Sequence, residues 1–546
     1  MSVDNRRADT TGVGPACVGL GILGGLLILL ATVRYGIGVS PDSVGYIATA
    51  RHIAAGKGIT SYDGRPLVAY PPLYPVILGI LSWTSGLDPS ALARGLNALA
   101  FAVVVSMSGL LLARHVPRVW SMAGTISVLL GIPLIYVFLM AWSEPLFILW
   151  VLLFFWVATS PGREGRNAVA LAIVVSLATL TRYVGVILVL VGSGVVLWRY
   201  MRERRGIGRG LLMGTLFAAI SLLPLAVWLI RNYHVSGTLF GPRPPSGLTL
   251  GQSLLSALST MVSWYLPTPA MVVRYSTFVP FDVPQSLVLA YRLLYPWLLV
   301  MLVSIVGWAL FSALGRGRHR EGGEEHVSAI VILGGFVLLY TAFLVLSAAR
   351  VAYDQLGHRL LSPAYVPLAF VLVLSLQKGI FRKETSGRFS TRLRSFVVVF
   401  FIAWLLYLAG ATALMVRKAL VDGLGYNGRL WRSSAVVSYL RQHELSCPIY
   451  TNDPNALYFL TGHVGRMSPR KTFYNSPSVA GDLSALRGNW PPEGKACLVW
   501  FNERAWNYLF TVEELSTAAD IRPIASFDDG AIYEVQPEST LDEKNP

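Results

Sequence analysis

Charge is scarce in this 546-residue chain: 14% of residues are charged, against roughly 25% in a soluble globular protein. That shortage excludes an ordinary soluble enzyme. Acid is scarcer than base, with 29 Asp and Glu against 45 Lys and Arg. A net charge of +16 would suggest nucleic acid in a soluble protein. Here the basic residues sit in short clusters between apolar runs, the pattern of cytoplasmic loops, so nucleic acid is excluded as a partner. Cysteine is nearly absent: Cys17, Cys447 and Cys497 only. Cys447 and Cys497 are too far apart for a metal motif. They read as two free structural thiols, with a disulfide left open if that region meets an oxidising compartment. There is no phosphate-binding glycine loop and no metal-ligand spacing, so no cofactor and no metal ligands are assigned; a divalent metal stays open without a residue pattern that indicates it. No cleavable signal is expected, because the segment after Cys17 is long for a signal core and lacks a small-x-small site.

What is present is hydrophobicity. Apolar residues make up 54% of the chain, mean hydropathy is +0.56, and long apolar runs recur from Cys17 to Met415. About 20 apolar residues cross a bilayer. Eleven crossings are expected, near 17–35, 94–113, 119–140, 146–159, two between 167 and 198, 211–230, 287–314, 327–346, 364–376 and 396–415. The run after Tyr70-Pro71-Pro72 reaches only to Gly86 and is read as interfacial. With it outside the bilayer, the basic loops Arg114 to Arg118, Arg163 to Arg166, Arg199 to Arg209, Arg316 to Arg320 and Lys378 to Arg394 all fall on one side, which the positive-inside rule makes cytoplasmic.

The expected division is a cytoplasmic tail over 1–16, a transmembrane domain over 17–419 with its first outer loop at 36–93, and a soluble extracytoplasmic domain over 420–546. Strand-like runs at Pro448 to Thr451, Ala496 to Phe501 and Ala531 to Val535 alternate there with helical runs at Ser433 to His443, Asn455 to Thr461 and Glu513 to Ala519. The fold class is therefore mainly α, polytopic in the membrane, with a small C-terminal α/β domain. The long stretch from Arg231 to Gln285, rich in Pro, Ser, Thr and aromatics, is read as an outer loop.

This topology gathers unusual polar residues on the outer side: Asp42, Asp63, Glu144, Arg182, Asp354, His358 and Arg359. Charges at membrane depth are functional candidates by default. Asp42 precedes an amphipathic run with Val44, Ile47, Ala50 and Ile53 at helical spacing, expected to lie along the membrane surface. It reads either as a helix N-cap or as a general base, held ionised by the helix N-terminus and restored in basicity by burial; the two are compatible. Arg182, between two short apolar segments, reads as a snorkelling anchor or as a phosphate ligand, since a guanidinium matches phosphate oxygens bidentately. The same pair of readings applies to Arg359. Glu144 has a plain reading at the start of a span, and His358 one as a hydrogen-bonded loop residue. Tyr70 opens a rigid Pro-Pro lead-in to a helix.

The ordered set Pro41-Asp42-Ser43 with Tyr46, Pro71-Pro72-Leu73-Tyr74, Arg94, Ser143-Glu144-Pro145, Thr181-Arg182-Tyr183 and Arg359-Leu360-Leu361-Ser362-Pro363 resembles the glycosyltransferase-C superfamily. The branch it resembles is the dolichyl-phosphate-mannose–protein mannosyltransferase-like family (family 39), which includes bacterial aminoarabinose transferases acting on lipid A. The likeness covers roughly Cys17 to Leu376. It implies a polyprenyl-phosphate sugar donor, a lipid, glycan or protein acceptor, an extracytoplasmic site among membrane lipid, and inversion at the anomeric carbon. It also implies that Asp42 matches the family's first-loop catalytic aspartate, with Arg182, Tyr183, Arg359, His358, Tyr46, Tyr70 and Glu144 binding substrate. One departure is Ser43, where many members carry a second acid. A single base is chemically sufficient, because a phosphate leaving group needs charge stabilisation rather than protonation. The reading from another class is a transporter or flippase of a lipid-linked saccharide.

Overall fold

A computed structural model describes residues 12–160, 164–271, 284–317, 323–381, 388–504 and 506–538. The expected tail before Gly12, Arg163, Arg318, Arg320 and the stretch 272–283 of the long loop lie outside the described residues. The membrane part comprises α1 Val13–Ala31, α2 Pro41–Ala54, α3 Leu73–Ser85, α4 Pro89–Ala113, α5 Arg118–Leu129, α6 Ile132–Phe138, α7 Glu144–Ala158, α8 Glu164–Thr181, α9 Val186–Arg202, α10 Ile207–Ser236, α11 Leu250–Ser263, α12 Gln285–Gly317, α13 Gly323–Ala348, α14 His358–Gly379 and α15 Arg388–Val421. Eight helices among the described residues are long and apolar enough to cross a membrane. The pair α5 and α6, bent by 47° where Gly131 and Pro133 interrupt the helix, brings the number to nine if it is one span. Three shorter apolar helices, α3, α7 and Asn167–Thr181 of α8, stand beside them, so eight or nine candidate spans are set against the eleven expected crossings. The protein is a multi-pass membrane protein.

Helix α14 is central, with 83% of its apolar window buried, whereas α12 has 6% buried and faces outward. Packing of α1 on α4 is close because Gly21 has no side chain. A Cβ there would collide with the Ala102 carbonyl and the Ser106 hydroxyl, the backbone proximity that small residues permit in membranes. Arg94 ties the same two helices, donating from Nε to Thr32 Oγ1 (3.0 Å) and from Nη2 to Leu29 O (2.9 Å).

Helix α2 is buried over Ser43, Val44, Tyr46, Ile47, Ala48, Thr49 and Ala50, packed on α3 and against the region after α15. Two local expectations are corrected. Helix α14 starts at His358, six residues before the expected start at Ala364, and carries Pro363 and Pro367 inside it; Pro363 has no N–H for the Arg359 carbonyl, which accepts from Ser362 Oγ (2.8 Å) instead. Part of the expected long loop is the helix α11, closed at its N-terminus by a capping box of Thr249 and Gln252.

Beyond α15 the chain forms α16 Ala435–Gln442, α17 Pro454–Thr461 and a five-stranded sheet: β1 Ile449–Thr451, β2 Arg466–Met467, β3 Ala496–Phe501, β4 Ala519–Phe527 and β5 Gly530–Pro537. Strand order is β2-β1-β3-β5-β4, parallel across β2, β1 and β3 and antiparallel across β3, β5 and β4. The expected helix over Glu513 to Ala519 is one turn, Val512–Leu515, and Ala519 already belongs to β4. Cys447 and Cys497 are joined in a disulfide, their Cα atoms 5.7 Å apart, which corrects the reading of two free thiols: the parallel pairing of β1 with β3 brings positions 50 apart in sequence side by side.

The two parts share a core. Val39, Val44, Ile47 and Tyr74 pack with Tyr426, Trp431, Leu457 and Phe501. Backbone bonds reinforce it. Ala141 N donates to Gly38 O (2.8 Å) and Tyr426 N to Val39 O (2.8 Å), so the strand-like segment leading to Asp42 is clasped from both sides. Gly425 has φ +59°, and a Cβ on it would strike the Val39 carbonyl, so this position is suited to glycine on two counts.

Candidate active site

Helix α2 is capped by Ser40, whose Oγ accepts from Ser43 N (3.5 Å), with Pro41 in the first turn. Asp42 is thereby relieved of capping. Its Oδ1 accepts from Tyr70 OH (2.6 Å) and its Oδ2 from Arg359 Nη2 (2.5 Å). Burial pushes this carboxyl up, but the Arg359 charge and the bonds from Tyr70 and Arg359 outweigh it and hold Asp42 below the usual carboxylate range. The same neighbourhood pushes the Tyr70 hydroxyl well up, through burial and the Asp42 charge, so Tyr70 remains a donor.

Arg359, in the first turn of α14, gives one nitrogen to each of three carboxylates: Nη2 to Asp42, Nε to Glu144 Oε1 (2.7 Å) and Nη1 to Asp354 Oδ2 (3.2 Å). The guanidinium also lies 4.2 Å from the centroid of Trp142, a cation–π contact. Glu144, read from the sequence both as a helix-start residue and as a substrate-binding candidate, is the hub of the site: it pairs with Arg182 and Arg359. Its side chain is 0% exposed and Oε1 also pairs with Arg182 Nη1 at 2.7 Å. Arg182 is held where α8 ends: its extended backbone (φ −148°, ψ 135°) breaks the helix before a 3₁₀ turn, Tyr183–Gly185. Its Nη1 also donates to Ser143 Oγ (3.1 Å), which shares a hydrogen bond with Tyr46 OH (3.2 Å). Two buried polar atoms here have no partner, Glu144 Oε2 and Arg182 Nε; such atoms in a native structure call for a ligand, an ion or water.

These groups border a cavity of about 380 Å³ lined by the polar side chains of Asp42, Tyr46, Tyr70, Ser143, Arg182, Tyr183, Asp354 and Arg359 and by the apolar side chains of Val184, Phe343, Leu344 and Val351. The size suits a small-molecule headgroup. Tyr183 anchors the wall, donating to Val68 O (3.1 Å) and stacking edge-on against Phe240. His358 is not brought to the cavity: its Nδ1 accepts from Trp264 Nε1 (3.0 Å) on the other side of the helix. Adjacent residues on a helix point about 100° apart, so the helix that aims Arg359 inward turns His358 away. Two residues outside the expected binding set join it. Asp354 lines the cavity and pairs Arg359; burial and the Asp42 charge push its carboxyl up against the opposing pull of Arg359. Arg243, in the turn Gly241-Pro242-Arg243-Pro244, also lines it. Its described bond is to Ala69 O (3.1 Å), with no ion pair to a carboxylate among the described residues. The signal was available, since Arg243 is a cation in a rigid, proline-rich outer turn. Among the described residues no three His, Cys, Asp or Glu side chains are arranged to hold a metal ion; the three carboxylates of the site are aimed at a guanidinium.

The same helical arrangement and appended sheet occur in solved structures. ArnT from Cupriavidus metallidurans, solved bound to undecaprenyl phosphate and in the apo state, superposes with a TM-score of 0.57 over 95% of this chain and 97–98% of its own, at 14% identity. The mycobacterial arabinofuranosyltransferase AftD superposes with a TM-score of 0.51 over 96% of this chain and 40% of its own, at 16% identity. The chain shares the fold of these structures. No protein-family model matches the chain and no curated protein matches it in sequence. Within this fold the first turn of α2 carries Asp42 and the first turn of α14 carries Arg359. Each motif quoted for the resemblance, apart from Arg94, gives the cavity at least one lining residue: Asp42 and Tyr46, Pro71, Ser143, Thr181 to Tyr183, and Arg359 with Leu360.

Proposed function

We propose that this protein is a membrane glycosyltransferase that moves a sugar from a polyprenyl-phosphate donor to an acceptor hydroxyl with inversion, Asp42 acting as general base. The observation that carries the reading is the convergence of two carboxylates, Asp42 and Asp354, three arginines and apolar side chains on a single cavity. Asp42 takes the proton of the acceptor hydroxyl, the hydroxyl oxygen bonds to the anomeric carbon, and the bond from that carbon to the phosphate oxygen breaks. Polyprenyl phosphate departs with the electron pair. Arg182, with its unpartnered Nε, and Arg243 receive the phosphate, and guanidinium charge stabilises it as it leaves. The apolar side chains of Val184, Phe343 and Leu344 take the first units of the lipid.

Arg359 pairs with the base. An incoming phosphate competes for that guanidinium and frees Asp42, whose burial then raises its basicity, so proton abstraction is coupled to donor binding. With its basic loops cytoplasmic, the protein presents the cavity and the region after 420 on the extracytoplasmic face. The tail 1–16, the membrane domain 17–419 and the domain 420–546 form its parts.

The test is to purify the protein, supply a panel of polyprenyl-phosphate sugars with membrane extract, and compare wild type with Asp42→Asn. Loss of a general base is expected to slow transfer by about 10² to 10⁴-fold while undecaprenyl phosphate still binds. Full activity in Asp42→Asn refutes the assignment. Movement of a lipid-linked saccharide across vesicles without transfer would instead establish a transporter.

A further inference from the structure

Three segments distant in sequence form a rim over the cavity. Ala352 N donates to Pro244 O (2.9 Å), Ser246 N to Arg350 O (3.2 Å) and Gly247 N to Asn475 O (3.4 Å). Asn475 comes from the region after α15, and its Nδ2 donates to Tyr353 O (3.1 Å). Its backbone is left-handed, φ +51°, a region in which asparagine is several-fold enriched. The effect is to set Tyr474 over Asp354, where its hydroxyl donates to Asp354 Oδ1 (3.3 Å).

We infer that this rim is a binding site for a sugar unit of the acceptor, its hydroxyls held by Asp354 and its ring stacked on Tyr474 and Trp506. The inference rests on the transferase reading above and names its acceptor class as glycan. Asp354 has the required chemistry. A carboxylate offers about four lone-pair sites, Arg359 and Tyr474 use two, and the side chain is 52% exposed. The aromatic surface stands beside it. Tyr474 is 39% exposed, its ring lies 5.9 Å from that of Trp506, and Tyr508 backs both at 5.6 and 5.5 Å. Trp506 is partly exposed. An aromatic face beside a carboxylate suits a pyranose or furanose ring, which carries an apolar C–H face and a hydroxyl edge.

A peptide fits less well. Added strands bind through free backbone groups, and the rim backbone is already paired with itself. An anionic acceptor would meet the Asp354 carboxylate. Position agrees with function too. Asp354 and Asp42 share Arg359, so a sugar held at Asp354 stands beside the base.

The experiment uses the full chain in nanodiscs with 5-fluorotryptophan in place of tryptophan, and Trp506→Phe to assign one ¹⁹F resonance. The probes are linear trisaccharides of arabinose, mannose and glucose, a Ser/Thr-containing heptapeptide, and undecaprenyl phosphate. At least one trisaccharide is expected to shift the Trp506 resonance saturably, with the apparent Kd raised about fivefold or more in Tyr474→Ala. The peptide is expected to leave the resonance in place. No response to any trisaccharide, an equal response to the peptide, or unchanged affinity in Tyr474→Ala overturns the inference. Undecaprenyl phosphate separates the two readings: if it binds while no sugar does, the acceptor site alone fails, and if a sugar binds while it does not, the donor reading fails and the sugar site stands.

Discussion

The role of Glu144 can be measured without knowing the substrate. Its Oε1 pairs with Arg182 and Arg359, each at 2.7 Å, in a side chain that is 0% exposed. Removing one partner of a buried ion pair costs about 3–5 kcal/mol, because the other charge stays buried without compensation. In Glu144→Gln, Arg359 keeps Asp42 and Asp354, whereas Arg182 keeps only Ser143 Oγ. The cost therefore falls mainly on Arg182, and because glutamine retains an acceptor oxygen it should lie near the lower end, about 3 kcal/mol. Arg182→Met leaves Glu144 paired to Arg359 and should cost less, about 2 kcal/mol. The double variant has no stranded guanidinium at position 182, so it should cost about 3 rather than 5 kcal/mol, a coupling energy of about 2 kcal/mol. Equilibrium unfolding in mixed detergent micelles at neutral pH reads all four corners of the cycle. If Glu144 were only a helix-start residue, its effect would be independent of Arg182. Additivity within about 0.5 kcal/mol therefore refutes the hub.

Three further outcomes are expected. With Asp42 as the base, activity is expected to be lost as pH falls through its pKa, which Arg359 holds down. Since kcat/KM reports free enzyme and kcat the complex, the acid limb of kcat should lie at higher pH than that of kcat/KM for the donor, and coincident limbs in the pH–rate profiles refute release of the base. Arg243→Gln should raise the Kd for undecaprenyl phosphate about 10- to 100-fold, the value of a hydrogen bond to charge, with unfolding unchanged; unaltered affinity removes Arg243 from the phosphate site. Tyr70→Phe deletes the 2.6 Å donor to Asp42 and should lower kcat about five- to thirtyfold while moving the acid limb upward; a limb that stays or moves down contradicts the contact.

Hydropathy made the spans legible, because a bilayer imposes length and apolarity on every crossing. It could not reveal α11, although Thr249 and Gln252 spell a capping box, since serine and proline around them suggested a loop. Strand β4 was hidden for a related reason. It is an edge strand with Pro523 in a run of exposed residues, Arg522 to Ile524, the position at which a sheet tolerates proline. In the site, Asp42, Arg182 and Arg359 were visible as charges at span ends, where water and lipid meet. Their partnership was not visible, because Glu144 meets Arg359 across 215 positions and Asp42 meets it across 317, and no local pattern encodes such distances. His358 and Arg359 were both binding candidates, His358 with the plainer reading of a hydrogen-bonded residue; the rotation of α14 gives it that bond, from Trp264, and aims Arg359 at the cavity.

The clasp around residues 38 and 39 bears on how the protein is made. Asn427 Nδ2 donates to Ile37 O (2.7 Å) across 390 positions. At about 5–20 residues per second, the ribosome delivers the second half of that contact roughly 20–80 s after the first. Through that interval α1 and α4 have entered the bilayer, yet the segment carrying Asp42 lacks one of its two flanking strands. The carboxylate is thus set in place near the end of synthesis, and chains ended before about residue 430 carry every span but no assembled catalytic centre.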